Sequence, residues 1–323
     1  MRAIVQDRYG SADVLRLRNV EVPEPGSGQV LVRVHAAAVD PGVWHLMTGL
    51  PYLVRLGFGV RRPRNRVPGM DLAGVVEAVG PDVTRFAPGD EVFGTGAGSF
   101  AEFALAREGR LATRPASLSF TQAAAVPISG QTALTAVRDA GRVRAGQEVL
   151  VIGVGGGVGS FVVQLARAYG ARVTGVCGPD KLDLVRSLGA ADVVDRTREE
   201  ITDRGRRWDV VIDTGGNRPL SLLRRVLSPK GTLVLVGGEA ATGKWLQGFD
   251  RQLRALLLSP FVGQRLVPLM SRESTANLAT LARFAEAGDV TPVVDRSWPL
   301  AGAADAVRHV AAGHARGKTV ITV

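Results

Sequence analysis

Residues 148–160 of this 323-residue chain have the sequence Glu148-Val-Leu-Val-Ile-Gly-Val-Gly-Gly-Gly-Val-Gly-Ser160. A β-branched apolar run comes first, five glycines follow within seven positions, and an apolar helical pattern begins at Val158. This order predicts a strand, a tight turn and a helix that starts on the turn. Glycines there let backbone N–H groups approach a pyrophosphate, and the helix N-terminus faces the phosphate charge. The stretch therefore predicts a dinucleotide-binding site.

The segments around this stretch alternate between strand and helix patterns. An alanine-rich helical segment, Phe120–Ala140, precedes it and is expected to break at Pro127 and Gly130. The pattern predicts strands at 149–152, 172–177, 192–194, 210–213 and 232–236, and helices at 158–169, 180–188 and 219–227. Repeated β-α units of this length predict a doubly wound parallel sheet with helices on both faces.

The first part of the chain has a different pattern. Short apolar runs, separated by Gly and Pro clusters, predict strands at 2–6, 29–34, 71–79, 90–93 and 100–105, and together a partly open β-barrel. Beyond Pro268 the pattern predicts helices at 275–287 and 302–312 and a strand at 319–323, which we expect to return to the first domain. We therefore predict a substrate domain at 1–121, completed by 266–323, and a dinucleotide-binding domain at 122–265.

Charge and cysteine content restrict the function classes. The formal net charge is +10, and only four of the 40 basic residues are lysines. Scattered arginines without interleaved aromatics favour a general surface charge over a nucleic-acid or anionic-membrane footprint. The densest cluster, Arg61, Arg62, Arg64 and Arg66, fits a solvated loop or the rim of an anionic cofactor site. One cysteine excludes an intrachain disulfide, and the lack of a signal-peptide pattern or a long apolar run predicts a cytoplasmic protein.

At this point the whole chain resembles the medium-chain dehydrogenase/reductase superfamily, and within it the zinc-independent quinone oxidoreductase and zeta-crystallin-like group. Beside the glycine turn, the motifs that carry the resemblance are Ala36-Ala-Ala-Val-Asp-Pro41, Val67-Pro-Gly-Met-Asp-Leu-Ala-Gly-Val-Val-Glu-Ala-Val-Gly80, Phe86-Ala-Pro-Gly-Asp-Glu-Val-Phe-Gly94, Pro127-Ile-Ser-Gly-Gln-Thr-Ala133, Ser187-Leu-Gly-Ala-Ala-Asp192 and Gly317-Lys318. The resemblance implies a GroES-like substrate domain, a Rossmann domain and hydride transfer from a reduced nicotinamide.

The resemblance also bears on metal and catalysis. In zinc-dependent relatives a cysteine occupies the position of Asp40 and a histidine that of Met70, so we expect no catalytic zinc. Other relatives have asparagine at the position of Asp40, in contact with the nicotinamide ribose, and Tyr52 matches a substrate-side tyrosine of the family. Asp40 and Tyr52 are therefore our candidate catalytic residues, although Tyr52 also fits a half-buried aromatic with a polar tip. His45 is a further candidate for the same cleft, or a surface histidine.

Cofactor choice depends on the end of the strand at 172–177. An NAD site usually has Asp or Glu there to hold the ribose 2′-hydroxyl, and this strand ends at Gly178. The resemblance places Lys181 at the family's phosphate contact and Arg196 where relatives commonly have a tyrosine near the adenine. The Arg196 guanidinium could both stack on adenine and pair with a 2′-phosphate. Asp180 would instead favour a ribose hydroxyl, and both basic residues also fit solvated positions. We predict NADP(H). The other expected cofactor contacts are Thr132, Gly155, Gly156, Gly157, Val158, Thr214, Gly215, Gly237, Gly238, Phe261, Val262 and Lys318, with ordinary core packing as the alternative for Phe261.

Hydride transfer to an already electrophilic acceptor needs positioning more than a Lewis acid. The sequence thus predicts a zinc-independent oxidoreductase that reduces a quinone, an enone or a similar activated carbonyl compound, as a homodimer acting on small molecules rather than nucleic acid or membrane. Two alternatives stay open. One is an enoyl-thioester reductase or alcohol dehydrogenase of the same superfamily, and the other is a non-catalytic crystallin-like or RNA-binding relative.

Overall fold

The computed structural model describes residues 1–237 and 249–323. It divides into two compact units, each described here by itself. The first unit contains Met1–Gln131, Glu273–Gly288 and Pro292–Val323, and the second contains Thr132–Arg272 and Asp289–Thr291. The domain limits expected from the sequence stay a prediction.

The secondary structure of the described residues runs as follows. The strands are β1 (Arg2–Val5), β2 (Arg16–Asn19), β3 (Gln29–Val39), β4 (Asp71–Val79), β5 (Glu91–Thr95), β6 (Phe103–Arg107), β7 (Leu111–Thr113), β8 (Glu148–Ile152), β9 (Arg172–Cys177), β10 (Asp192–Asp195), β11 (Trp208–Asp213), β12 (Leu227–Leu235), β13 (Arg265–Pro268), β14 (Val294–Pro299) and β15 (Lys318–Thr322). The α-helices are α1 (Pro41–Thr48), α2 (Val54–Phe58), α3 (Phe120–Ala124), α4 (Pro127–Leu134), α5 (Gly157–Ala168), α6 (Leu182–Ser187), α7 (Leu220–Arg225), α8 (Phe249–Leu258), α9 (Thr275–Glu286) and α10 (Ala303–Ala311).

The second unit is built on a six-stranded sheet in the order β10-β9-β8-β11-β12-β13. Every adjacent pair in it is parallel, which confirms the parallel sheet expected from the β-α alternation. From β8 the chain proceeds to β9 on one side and later to β11 on the other. The strand order therefore reverses between β8 and β11, and ligands of open α/β sheets bind at such a point, beyond the carboxyl ends of the strands.

The first unit contains a seven-stranded sheet in the order β14-β15-β3-β4-β5-β7, with β6 paired to β3. The long strand β3 pairs with β4, β6 and β15, so it organises the sheet. Its antiparallel pairing with β15 joins Ala38 to Val320, and this is the expected return of the C-terminal segment to the first part of the chain. The apolar core beneath the sheet combines residues from both parts, among them Val32, Leu72 and Ile321.

The alanine-rich segment before the glycine turn departs from its prediction at one point. Pro127 does separate α3 from α4, but Gly130 continues α4 instead of breaking it. A Cβ at Gly130 would lie 3.1 Å from side-chain atoms of both Leu281 and Val126, so the glycine serves close packing. The continuation from Thr135 to Ala140 is a π-helix, whose wider spacing shows in the bond from Gly141 N to the Ala136 carbonyl, 2.7 Å.

Candidate functional site

The glycine turn lies between β8 and α5, where the strand order of the second unit reverses. Gly153 has φ of +79°, and a Cβ there would lie 2.6 Å from Thr214 Oγ1 and 2.9 Å from Gly215 N. Thr214 Oγ1 donates to the Ile152 carbonyl at 2.8 Å, which ties the end of β11 to the end of β8. The predicted cofactor residues Thr214 and Gly215 therefore flank the turn directly.

The start of α5 has the properties of an anion site. Gly156 caps the helix without a side-chain hydrogen bond, and the first N–H bonded within this helix is that of Ser160, to the Gly156 carbonyl at 3.0 Å. The N–H groups of Gly157, Val158 and Gly159 therefore lack intrahelical acceptors. They lie at the N-terminus of a 12-residue helix, where the helix dipole is positive. Glycine is required at 159 because a Cβ would lie 2.3 Å from the Gly153 carbonyl oxygen. These features fit the diphosphate of a dinucleotide.

Lys181 lies over the turn. A Cβ at Gly155 would lie 2.6 Å from Lys181 Cδ and 3.0 Å from its Cβ, so the aliphatic stem packs on the bare glycine. Lys181 closes a short 3-10 turn, Pro179–Lys181, that follows the end of β9. The Lys181 stem therefore lies at the same edge of the sheet as the turn, and the phosphate contact expected of Lys181 stays a prediction.

The carboxyl end of β9 carries charges of both signs. A Cβ at Gly178 would lie 2.9 Å from Asp180 Oδ1 and 3.7 Å from Arg196 Nε. Arg196 is fixed beside the strand because its backbone N–H donates to the Cys177 carbonyl at 3.0 Å. Burial, with the nearby Asp180 and Asp195, raises the pKa of the Cys177 thiol to about 11, so this cysteine stays protonated. The structure thus brings Gly178, Arg196 and Asp180 together, while the cofactor contact of each stays a prediction.

A buried ion pair connects the ends of β11 and β12. Asp213 Oδ1 accepts the N–H groups of Gly215 and Gly216, each at 3.1 Å, and its Oδ2 accepts Arg251 Nη1 at 2.7 Å. Arg251 also donates to the Gly237 carbonyl at 3.0 Å. Sequence reasoning missed Arg251, which comes from α8 and carries no motif. The pair holds Gly215 and Gly237 in place, whereas Gly238 lies outside the described residues.

Two of the predicted cofactor residues, Phe261 and Val262, follow α8 and differ in how exposed their side chains are. Phe261 is 85% exposed, which overturns the core-packing alternative for this side chain. Val262 is partly buried and packs against the apolar core of the second unit. Thr132 lies in α4 and is also partly exposed. The contacts of all three with a nicotinamide stay a prediction.

In the first unit, Asp40 follows β3 directly and caps the N-terminus of α1. Its Oδ1 accepts the Gly42 N–H at 2.7 Å, whereas its Oδ2 is buried without a hydrogen-bond partner among the described residues. A Cβ at Gly42 would lie 2.8 Å from Asp40 Oδ1 and 3.3 Å from Met70 Cε, so Asp40 and Met70 approach the same point. Within the described ranges no group of three or more His, Cys, Asp and Glu residues could hold a metal. One carboxylate beside a thioether is a poor donor set for zinc, which prefers thiolate and imidazole.

Lys318 forms a buried ion pair below Asp40. Its Nζ lies 3.1 Å from Asp71 Oδ2, and both side chains are almost completely buried. Asp71 Oδ1 also accepts the Ile128 N–H at 2.9 Å. Burial raises the pKa of Asp71 to about 7, with a further rise from the charge of Asp40, and Lys318 opposes both. The Lys318 ammonium is thus paired with Asp71, and the cofactor contact expected of Lys318 stays a prediction.

Tyr52 is held by an arginine stack that the sequence did not reveal. The Arg55 guanidinium lies 4.7 Å from the centre of the Tyr52 ring and 4.5 Å from that of Tyr9. Arg55 Nε also donates to the Gly49 carbonyl at 2.9 Å, so the guanidinium between the two rings is fixed. Its stacking orients Tyr52, since a cation over an aromatic face is attracted by the ring quadrupole.

His45 lies on α1 close to Asp40. Its Nδ1 is 2.9 Å from the Leu50 carbonyl, an acceptor, so Nδ1 carries the hydrogen and Nε2 is the free acceptor of the neutral ring. Burial lowers the pKa of His45, while the Leu50 hydrogen bond and the charge of Asp40 raise it by less. The neutral form is therefore favoured.

Comparisons with known proteins agree with this architecture. The family described as "Alcohol dehydrogenase GroES-like domain" matches residues 26–116, and the family described as "Zinc-binding dehydrogenase" matches residues 188–321. The second description names zinc, whereas this chain has Asp40 and Met70 at the two ligand positions. None of the helices in 1–237 and 249–323 is both long enough and apolar enough to cross a bilayer.

Three relatives extend over almost the whole chain. A mouse (Mus musculus) quinone oxidoreductase is 36% identical and covers 99% of this chain and 96% of its own. An Arabidopsis thaliana NADPH-dependent alkenal/one oxidoreductase is 35% identical over 99% of this chain and 79% of its own. The structure of a quinone oxidoreductase from Coxiella burnetii superposes with a TM-score of 0.87 at 26% identity, covering 100% of this chain and 99% of the other.

These matches confirm the predicted fold class, a Rossmann-type parallel sheet with a GroES-like domain. They also confirm that the chain is an oxidoreductase that uses a nicotinamide cofactor. With the glycine turn at the reversal of strand order and no zinc donor set at Asp40 and Met70, the chain belongs to the zinc-independent quinone oxidoreductase group of the medium-chain dehydrogenase/reductase superfamily.

Proposed function

We propose that this protein transfers a hydride from NADPH to a quinone, an enone or a similar activated carbonyl compound. The observation that carries the proposal is that Asp40 and Met70, which by the family resemblance stand at the zinc-ligand positions of zinc-dependent relatives, approach one point. Without a Lewis acid, an acceptor must already be electrophilic, and quinones and conjugated carbonyls are. The names of the mouse and Arabidopsis relatives point the same way.

When bound, the reduced nicotinamide supplies the hydride. Asp40 Oδ2 is a buried acceptor without a partner among the described residues, and a ligand hydroxyl such as that of the nicotinamide ribose would satisfy it. Tyr52, oriented by Arg55, would donate a hydrogen bond to the acceptor oxygen as negative charge develops there. The proton that completes the reduction comes from solvent.

A substrate panel tests the reaction class. Quinone, enone, enoyl-thioester and alcohol substrates are followed by nicotinamide absorbance, and we expect turnover with the first two. Tyr52→Phe should lower turnover of an enone while NADPH binding stays unchanged, because only the hydroxyl is lost. Turnover of alcohols alone would favour the alcohol dehydrogenase alternative, and unchanged turnover in Tyr52→Phe would remove this residue from the mechanism.

Selectivity for NADPH is proposed from Gly178, Lys181 and Arg196. Arg196 is near the Gly178 Cβ position and would pair with a 2′-phosphate, whereas the carboxylates of Asp180 and Asp195 on this edge oppose it. Removing a charged hydrogen bond costs about 1.5–3 kcal/mol. Arg196→Gln should therefore weaken NADPH binding by roughly ten- to a hundredfold and leave NADH binding unchanged.

Fluorescence titration with both cofactors measures this effect. Arg198→Gln is the matched control, since Arg198 follows two residues later and is 85% exposed in its side chain. NADH binding by the unchanged protein that equals or exceeds NADPH binding would contradict the selectivity.

We further propose that the protein is a homodimer and that it is located in the cytoplasm. We also propose that it acts on small molecules rather than on nucleic acid or membrane. Their support is the family resemblance and the scatter of the arginines over the sequence. Light scattering on the purified protein measures the oligomeric state. An A-rich RNA titration at two salt concentrations tests the non-catalytic alternative.

A further inference from the structure

Four arginines of the first unit line one surface cavity of about 680 Å³, which we call the arginine basin. Its lining is Asp7, Val60, Arg61, Arg62, Pro63, Arg64 and Arg66. A volume of this size is in the range of small-molecule sites rather than of extended macromolecular surfaces. The catalytic proposal above gives these residues no role.

Three of these arginines lack a counter-charge. Arg66 pairs with Asp7, which also binds Arg18, and the Arg66 hydrogen bond holds the pKa of Asp7 below its ordinary value. The guanidinium groups of Arg61, Arg62 and Arg64 form no ion pair or hydrogen bond with any described residue, and all three residues are exposed. Like charges that share a cavity repel one another and together create a positive potential, so the basin attracts anions.

The loop that carries these arginines is held in a fixed conformation. Arg64 N donates to the Phe58 carbonyl at 2.8 Å, and Tyr9 Oη donates to the Gly59 carbonyl at 2.5 Å. Gly59 has φ of +119°, and a Cβ there would lie 2.1 Å from the Arg62 carbonyl oxygen, so only glycine allows this fold-back. The arginines are therefore presented from defined backbone positions.

We propose that the arginine basin binds the diphosphate group of a small organic molecule. Guanidinium groups bind phosphate oxygens in bidentate pairs, and the two linked phosphates of a diphosphate offer three arginines more acceptor oxygens than a single phosphate does. Val60, 65% exposed, lines the same cavity and offers apolar contact to the organic part.

Contacts within the first unit connect the arginine basin to Tyr52. Tyr9 bonds to Gly59 at the edge of the basin and stacks on Arg55, which stacks on Tyr52. The diphosphate therefore belongs either to the carrier portion of a phosphorylated acceptor or to a free nucleotide that acts through this stack. The kinetic role, but not the binding site, rests on the proposed function.

Calorimetric titration with inorganic pyrophosphate tests the site, with saturating NADP⁺ present to fill the coenzyme turn. We expect saturable binding that weakens at least tenfold in Arg61→Gln/Arg62→Gln/Arg64→Gln and less in Arg64→Gln alone. The matched control is Arg107→Gln/Arg207→Gln/Arg225→Gln, which removes the same charge from exposed positions elsewhere and should leave binding unchanged. Circular dichroism verifies that each variant is folded.

Three results would overturn the site: no saturable binding, equal weakening in the control variant, or loss of binding once NADP⁺ is added. An RNA oligonucleotide that displaces pyrophosphate at a much lower concentration would assign the basin to nucleic acid and would overturn it as well.

Kinetics then distinguish the two sources of the diphosphate. Crotonyl-coenzyme A and crotonyl-pantetheine present the same conjugated thioester with and without the 3′-phosphoadenosine diphosphate portion. A fall of kcat/KM for the first alone in the basin variant identifies a phosphorylated acceptor, while a pyrophosphate effect on turnover of a neutral enone identifies an effector.

Binding with neither effect would show an adventitious anion only and would overturn the proposal. Failure to reduce any quinone or enone would defeat the proposed function, and the pyrophosphate titration would still report on the basin.

Discussion

At Asp71, burial raises the pKa of the carboxyl group, and the charge of Lys318 lowers it. The carboxyl group is completely buried, and Lys318 supplies the one ammonium that compensates it among the described residues. Removing one partner of such a pair leaves an uncompensated charge in the interior, which costs about 3–5 kcal/mol, whereas replacing both is often close to neutral.

We therefore expect Lys318→Met to lower the free energy of unfolding by about 3–5 kcal/mol at pH 8. The double variant Asp71→Asn/Lys318→Met should recover most of this loss, because an asparagine oxygen can still accept the Ile128 N–H. Urea denaturation of the unchanged protein, the two single variants and the double variant measures the free energy of unfolding of each. Additive losses in the double variant would show that the two side chains act independently.

His45 gives a pH prediction with a definite sign. Its pKa is lowered in the folded protein, chiefly by burial, so the unfolded chain binds the proton more tightly. Stability is therefore lost as the pH falls through the ordinary histidine range towards the lowered pKa. His45→Gln should show a smaller loss of unfolding free energy between pH 7 and pH 5 than the unchanged protein. His314→Gln, at an exposed position, is the control, and identical profiles for all three proteins would refute the prediction.

Single residues also show where sequence reasoning stops. The glycines of the turn could be identified because they are adjacent in sequence, and backbone geometry permits no other residue at Gly153 and Gly159. Arg251 and Arg55 could not, because each acts through partners distant in sequence: Asp213 lies 38 residues from Arg251, and Tyr9 comes from the start of the chain. No local pattern marks an arginine that will be stacked or buried.

At the level of elements, strands and helices with strong periodicity were predicted closely. Helix α5 was expected at 158–169 and is found at Gly157–Ala168, and β4 has its predicted limits. Short or charged elements were missed, among them β2 and β14, since Arg16–Asn19 and Val294–Pro299 lack a continuous apolar face. Their pairing with β1 and β15 is a tertiary effect.

The junction between β8 and α5 depends on close approach of backbone to backbone. Gly159→Ala would place a methyl group 2.3 Å from the Gly153 carbonyl oxygen and 2.7 Å from Val154 Cα, and neither atom can rotate away. We expect a loss of about 1–3 kcal/mol in unfolding free energy. NADPH binding should weaken with it, because the shift moves the N–H groups that face the diphosphate.

Thermal unfolding and NADPH titration measure the two effects. Gly109→Ala is the control, since a Cβ at Gly109 meets no atom within 4 Å. Unchanged cofactor affinity in Gly159→Ala would show that the turn does not hold the diphosphate.

On the scale of the whole molecule, the two units differ in how the sequence is distributed. Almost all of the second unit lies in one segment, Thr132–Arg272, joined by Asp289–Thr291. That short return is held by the Gln164 side chain, which accepts the Thr291 N–H at 2.8 Å and donates to its carbonyl at 3.1 Å. The first unit instead needs β14, α10 and β15 from beyond Thr291. The return of the C-terminal segment to the first part of the chain was expected from the sequence, but its pairing with β3 was not.

A chain ended after Thr291 should therefore keep the second unit and lose the first. Without β15 the sheet of the first unit loses the neighbour of β3, and Asp71 loses Lys318. Hydrogen exchange should show protected amides in β8 and β11 and unprotected amides in β3 and β4, with the full chain as control. Full protection of β3 in the shortened chain would contradict this division.

The pairing of Ala38 with Val320 also sets an order of events during synthesis. At typical translation speeds these partners leave the ribosome roughly 15 to 60 seconds apart. During that interval β3 has an open edge where β15 will later pair, and such an edge can pair with another nascent chain. We therefore expect incomplete chains that end before β15 to associate through β3.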